Sequence, residues 1–155
     1  MKLIFKQRIF SWLDSYDIYD EFGNVYFSVE GKLSFGHSFN IYDKNKCLVG
    51  KLKQKIFTFL PVFEIYDGQD KYLGSVTKNF TFFKPSFSLD YHGLEVTGDW
   101  FEWDYEIRKN GKVIASINKE LFRFSDTYQM NVSEYYAFDA LMIVLAIDAV
   151  KCCND

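Results

Sequence analysis

Lys44, Lys46, Lys51, Lys53 and Lys55 fall within twelve residues of a chain whose formal net charge is -3. In an extended strand alternate residues share a face, so Lys51, Lys53 and Lys55 line up on one side. The segment Leu52-Lys53-Gln54-Lys55-Ile56-Phe57 is copied near the start of the chain as Phe5-Lys6-Gln7-Arg8-Ile9-Phe10, which puts Lys6 and Arg8 in matching positions. If the two strands neighbour each other, these residues make one basic patch. Such a patch attracts phosphate head groups, at about 1 kcal/mol per lysine near an anionic surface. The competing reading is a solvated face whose lysines discourage edge pairing.

Other chemistries have less to draw on. His37 and His92 are the only histidines, and no cysteine or serine stands at a spacing that implies a triad or a zinc site. Gly23, Gly68, Gly93 and Gly111 read as turn glycines rather than a phosphate cradle. Asp20, Glu21, Asp43, Asp67, Asp70 and Asp90 gather in turns, where calcium is conceivable, but no loop has EF-hand spacing and Asp serves hairpin turns for backbone reasons. No catalytic residue, metal site or cofactor is therefore expected. Trp12, Phe35, Phe59, Phe83, Trp100 and Phe124 form a further set, all in connections between strand pairs. Beside Arg8, Lys55 and Lys84 they can dip into a membrane interface. Their repetition at one phase fits better with packing that closes the barrel floor.

These side chains are positioned by a repeat. An aromatic residue, any residue, then Ile, Leu or Met recurs at Tyr16/Ile18, Phe39/Ile41, Phe63/Ile65, Phe87/Leu89, Tyr105/Ile107 and Tyr128/Met130. A period of this length usually decides the architecture. Each unit reads as a hairpin whose second strand alternates apolar and polar residues, with Val25, Phe27, Val29 or Tyr72, Gly74, Val76 or Val113, Ala115, Ile117 expected to face inward. Gly50 and Gly74 on that face imply something packed closely against the sheet. Five hairpins with a single strand at each end make 12 strands, unit four (Phe87–Trp103) being the shortest and least regular.

After the last strand, Ser133-Glu134 is positioned to cap a helix from about Tyr135 to Val150, apolar on almost every side and so buried. It is short for a bilayer span, which needs roughly 20 apolar residues, and it carries Asp139 and Asp148. Nine residues apart, these stand roughly 180° around the helix and cannot pair. One is expected to bond a strand end, the other to reach solvent beyond the terminus. The expectation is a single domain over 1–155, all-β with one helix enclosed by a barrel, monomeric, with no transmembrane segment. No apolar leader core is seen in Met1–Phe10, and Cys47, Cys152 and Cys153 form an odd, unpatterned set, so a cytoplasmic protein with reduced thiols is expected. The acidic balance argues against nucleic acid as partner.

The stretches YDIYDEFGNVYFSVEGKLSFG, FNIYDKNKCLVGKLKQKIFTFLPVFEIYD, GSVTKNFTFFKPSFSL, DYEIRKNGKVIASINKELFRFSDTYQMNV and ALMIVLAIDAV resemble the LURP-one-related family, also called the tubby C-terminal-domain-like or YxjI-like group. The resemblance runs from Leu3 to about Val150. It implies a closed 12-stranded antiparallel β-barrel around a hydrophobic C-terminal helix. Relatives include the phosphoinositide-binding tubby domain and the phospholipid scramblases, but no scramblase-like Asp-rich calcium loop or Cys-rich segment is found here. A helix-filled barrel leaves no large internal pocket, which counts against an enzyme. The expected function is a non-enzymatic binding module for anionic phospholipid head groups, with Lys6, Arg8, Lys44, Lys46, Lys51, Lys53 and Lys55 as binding residues. The alternative is a protein-interaction or regulatory module using the aromatic rim.

Overall fold

The computed structural model describes residues 1–6, 15–32, 34–79, 86–119 and 127–152. They form β1 (Lys2–Lys6), β2 (Ser15–Asp20), β3 (Val25–Lys32), β4 (Ser38–Asp43), β5 (Leu48–Gln54), β6 (Val62–Asp67), β7 (Tyr72–Asn79), β8 (Ser86–Asp90), β9 (Leu94–Asp99), β10 (Asp104–Lys109), β11 (Lys112–Lys119) and β12 (Thr127–Val132). A 3-10 turn, Glu134–Tyr136, leads into α1 (Ala137–Cys152). Ser133 precedes it in extended conformation, and its side chain makes no capping bond.

All 12 strands join one antiparallel sheet in the order β8-β7-β6-β5-β4-β3-β2-β1-β12-β11-β10-β9. The N-terminal strand closes the circuit by lying between β2 and β12. Full closure was expected; the barrel is nearly closed. Among the described residues β8 and β9 share no ladder, although Leu94 N–H bonds Tyr91 O at 3.0 Å in the turn between them. Across that seam the rings of Phe87 and Trp100 meet edge to face, with centroids 4.4 Å apart. The irregular fourth unit is where the strand register lapses.

The repeat shows in the turns. Asp20, Asp43 and Asp67 each accept two backbone N–H bonds on Oδ1, from Phe22 and Asn24, from Asn45 and Cys47, and from Gln69 and Lys71. The turn carboxylates thus serve their own backbones, the Asx pattern that makes aspartate a turn residue. Behind each turn lies a β-bulge, placed between Ile18/Tyr19, Ile41/Tyr42, Ile65/Tyr66 and Ile107/Arg108. The extra residue on the second strand is Tyr26, Val49, Leu73 or Ile114, and each packs against the core. One inserted residue reverses the alternation. That is why Val25, Tyr72 and Val113, expected inside, are exposed at 39%, 50% and 46%.

The helix supplies the middle of the core. Eleven of its residues from Ala137 to Val150 are at most 2% exposed. Gly50 explains how so tight a fit is reached: a Cβ there would stand 2.7 Å from Phe138 Cζ. Gly74 answers to a different neighbour, the backbone of β8, since a Cβ would lie 2.1 Å from Asp90 O. No described helix is long and apolar enough to cross a membrane.

Candidate functional site

The topology gives the barrel two unlike ends. One carries the turns inside the units and the start of α1; the other carries the connections between units and the end of α1. The basic residues do not collect on one face between them. β1 is separated from β5 by β2, β3 and β4, so the condition for a joint patch is not met. Lys6 lies at the end of β1, and Arg8 falls outside the described residues. Lys51 and Lys53 do share the outward face of β5, but Asp70 from the next turn bonds both, at 2.8 and 3.5 Å. Lys53 also sits over the Tyr66 ring, 4.7 Å from its centroid. Lys44 and Lys46 belong to the β4–β5 turn, at the far end of β5 from Lys55. A carboxylate 19 residues away from Lys51 was invisible to strand alternation.

The connection end differs from expectation in the opposite direction. Phe35 and Phe59, placed in a packed floor by their repetition, are exposed at 93% and 96%. Between them stand Ile56 at 42% and Phe57 at 100%. Only Trp100 of the described rim residues packs as foreseen, at 6%. It stacks on Phe101, while Lys151 from the helix end covers Trp103 at 3.6 Å and bonds Phe101 O at 3.2 Å. Trp12, Phe83, Lys84 and Phe124 lie outside the described residues.

The exposed rings are held on a built scaffold. Gln54 N–H donates to His37 O at 2.7 Å, and His37 N–H donates to Gln54 Oε1 at 3.1 Å, so the connection before β4 is fastened to the end of β5. A Cβ on Gly36 would meet Ile56 Cγ2 at 2.9 Å, which shows how closely the two segments pack. Lys55 N–H bonds Val62 O at 2.9 Å and closes the neck of the Ile56–Pro61 connection. Phe57 takes φ 58, a conformation that bulky residues rarely adopt. A groove of about 540 Å³ runs along this neck, lined by Phe35, Lys53, Lys55, Ile56 and Glu64 among others. Burial holds the His37 imidazole below its ordinary pKa, so it stays neutral near pH 7 and adds no charge there. Ile56 and Phe57 were not singled out from sequence; the run Lys-Ile-Phe-Thr-Phe-Leu-Pro after a strand was the available signal.

The helix carboxylates part as their spacing requires. Asp139 accepts the Tyr91 hydroxyl at 2.6 Å and faces His92 Nδ1 at 3.2 Å, tying the helix start to the β8–β9 turn. With Asp139 bonded to the strand end, the acid expected to reach solvent would be Asp148, which is partly buried within the barrel. Loss of solvation pushes its carboxyl up to about 7 against the opposing pull of Lys151. Burial and then Asp148 raise the Tyr105 phenol well above its ordinary value. No cluster of three metal-ligating side chains occurs among the described residues. Cys47 is an exposed free thiol, and Cys153 is outside the described residues.

Strands wound around an axial helix, with apolar loop tips at one end, define a helix-filled β-barrel. The chain belongs to the LURP-one-related family, whose profile matches residues 1–148. It is 30% identical over 154 residues to the uncharacterized protein YxjI of Bacillus subtilis (strain 168), covering 97% of this chain and 93% of that one. Its fold is also that of an Arabidopsis thaliana protein solved by X-ray, with TM-score 0.63 at 18% identity, over 95% of this chain and 89% of that one.

Proposed function

We propose that this protein is a non-enzymatic binding module that seats the connection end of its barrel on an anionic membrane surface. The observation that carries the reading is the group of exposed apolar tips, Phe35, Ile56, Phe57 and Phe59, beside Lys55. Rings in the interfacial zone with a cation at head-group level match the chemistry of that boundary. Of the lysines first assigned to head groups, Lys55 is exposed and has no ion pair among the described residues, whereas Lys51 and Lys53 already have Asp70. The electrostatic part of binding is therefore modest and the apolar part decisive. The same rings would serve a protein partner; the adjacent lysine and the separation of the rings onto two connections favour lipid.

Co-sedimentation with vesicles of phosphatidylcholine, with and without phosphatidylserine, at low and physiological salt, tests this. Binding is expected to the anionic vesicles, weakened by salt and abolished by Phe57→Ser/Phe59→Ser. Lys55→Glu should weaken it without abolishing it. Absence of binding under every condition would leave the rim to a protein partner.

A further inference from the structure

At the opposite end of the barrel lies a groove of about 910 Å³. Its origin is topological. The last β11–β12 partners are Ala115 and Val132, after which the chain leaves the sheet to enter the barrel as α1. Lys112 and Val113 still pair with β10 but have run past the end of β12. β1 closes the far side, with Lys2 opposite Asn131. The opening left between β1 and β11 is the groove, and its size is within the range of small-ligand sites.

Its walls are basic on an acidic protein. Lys2, Lys109 and Lys112 line it, against one carboxylate, Glu21. None of these lysines has an ion pair among the described residues, unlike Lys51 and Lys53 on β5. Glu21 is engaged by the backbone, its Oε2 accepting Lys2 N–H at 2.8 Å. The turn bearing the other two lysines is held by Arg108, whose Nη1 donates to Gly111 O at 3.0 Å. Asn110 and Asn131 add amide donors, while Val113 and the Tyr136 ring give an apolar wall, with Lys109 Nζ 5.7 Å from that ring's centroid. Three lysines lining one groove, with amide donors beside them, suit a phosphate, for which lysine is a point-charge ligand. An adjacent ring and aliphatic wall suit an organic body.

We infer that the groove between β1 and β11 binds a phosphate-bearing small group, its phosphate on Lys2, Lys109 and Lys112 and its organic part against Tyr136 and Val113. The site is independent of the membrane reading. On a barrel seated by its connection end, it faces solution. A soluble phosphate ester and a lipid head group share this chemistry.

Titration calorimetry with inorganic pyrophosphate and glycerol 3-phosphate, alongside phosphatidic acid vesicles, tests the inference and separates the sources. Lys109→Gln/Lys112→Gln, both at exposed or half-buried positions, should weaken binding about tenfold or more, as expected for two charged contacts. Glu21→Gln should tighten it by removing the one opposing charge. Lys51→Gln/Lys53→Gln and Phe57→Ser/Phe59→Ser should leave binding of the two soluble probes unchanged, so failure of the membrane reading would not register in those titrations. Binding of the soluble probes identifies a soluble ester; groove-dependent binding of vesicles alone identifies a head group. If no probe binds, or binding ignores the groove lysines while Glu21→Gln changes nothing, the inference is overturned.

Discussion

Phe57 places a whole aromatic ring in water on a backbone at φ 58. Neither feature helps the fold, since the ring buries nothing and the left-handed backbone is disfavoured for a side chain of this shape. Replacing it with glycine should therefore leave stability unchanged or raise it by up to about 1 kcal/mol, while vesicle binding falls. Chemical denaturation and co-sedimentation of Phe57→Gly would show that separation. Asp148 makes a second case. Its carboxyl, raised from 3.8 to about 7 by burial, keeps its proton in the folded state after the unfolded chain has lost it. The contribution of this group to stability is thus fully present below pH 3.8 and is lost as pH rises through 7, a change of at most on the order of 4 kcal/mol given partial exposure. Asp148→Asn should remove this part of the slope and stabilise the protein at pH 8; an unchanged difference in melting temperature between pH 5 and 8 would refute it. Residue types gave the parting of Asp139 from Asp148, because helical spacing is geometric. They could not give the Lys51–Asp70 pair or the exposure of Phe59, which depend on loops from different units.

At the scale of elements, the agreement between chain and structure is closest in the middle of the strands and weakest just after each turn, where the second strand begins. Alternation marks Phe39/Ile41, Phe63/Ile65 and Tyr105/Ile107 as inward, and all six are buried. It misplaces Val25, Tyr72 and Val113 because a bulge inserts one residue at the same phase in four hairpins. A bulge follows from turn geometry, here the left-handed residue at Gly23, Lys46 or Asp70, and its trace in the sequence is a pair of adjacent apolar residues, Val25-Tyr26, Leu48-Val49, Tyr72-Leu73 or Val113-Ile114, that strict alternation reads one residue out of phase. The inward glycine was more legible. Gly50 lets Phe138 of α1 rest on β5, so Gly50→Ala should cost about 1–3 kcal/mol through overpacking. Phe138→Leu in the same background should recover part of that loss. Urea denaturation of the two single variants and the double would establish the coupling, and additive effects would show that strand and helix do not meet there.

For the whole molecule, strand number and the axial helix were readable because the repeat and a segment apolar all round permit few alternatives. The order of strands around the barrel was less so. Hairpins specify neighbours within units, but only the pairing of β1 with β12 shows where the circuit closes, and that pairing separates Lys6 from the β5 lysines. The result is a barrel with chemically different ends, apolar tips with Lys55 at one and the lysine groove at the other. Entry of the apolar tips into the membrane is tested most directly at Phe57. Phe57→Trp, compared with the parent protein, should gain fluorescence that blue-shifts on vesicles containing phosphatidylserine and is quenched by lipids brominated on their acyl chains. Vesicle binding with neither shift nor quenching at this position would contradict insertion of the tips.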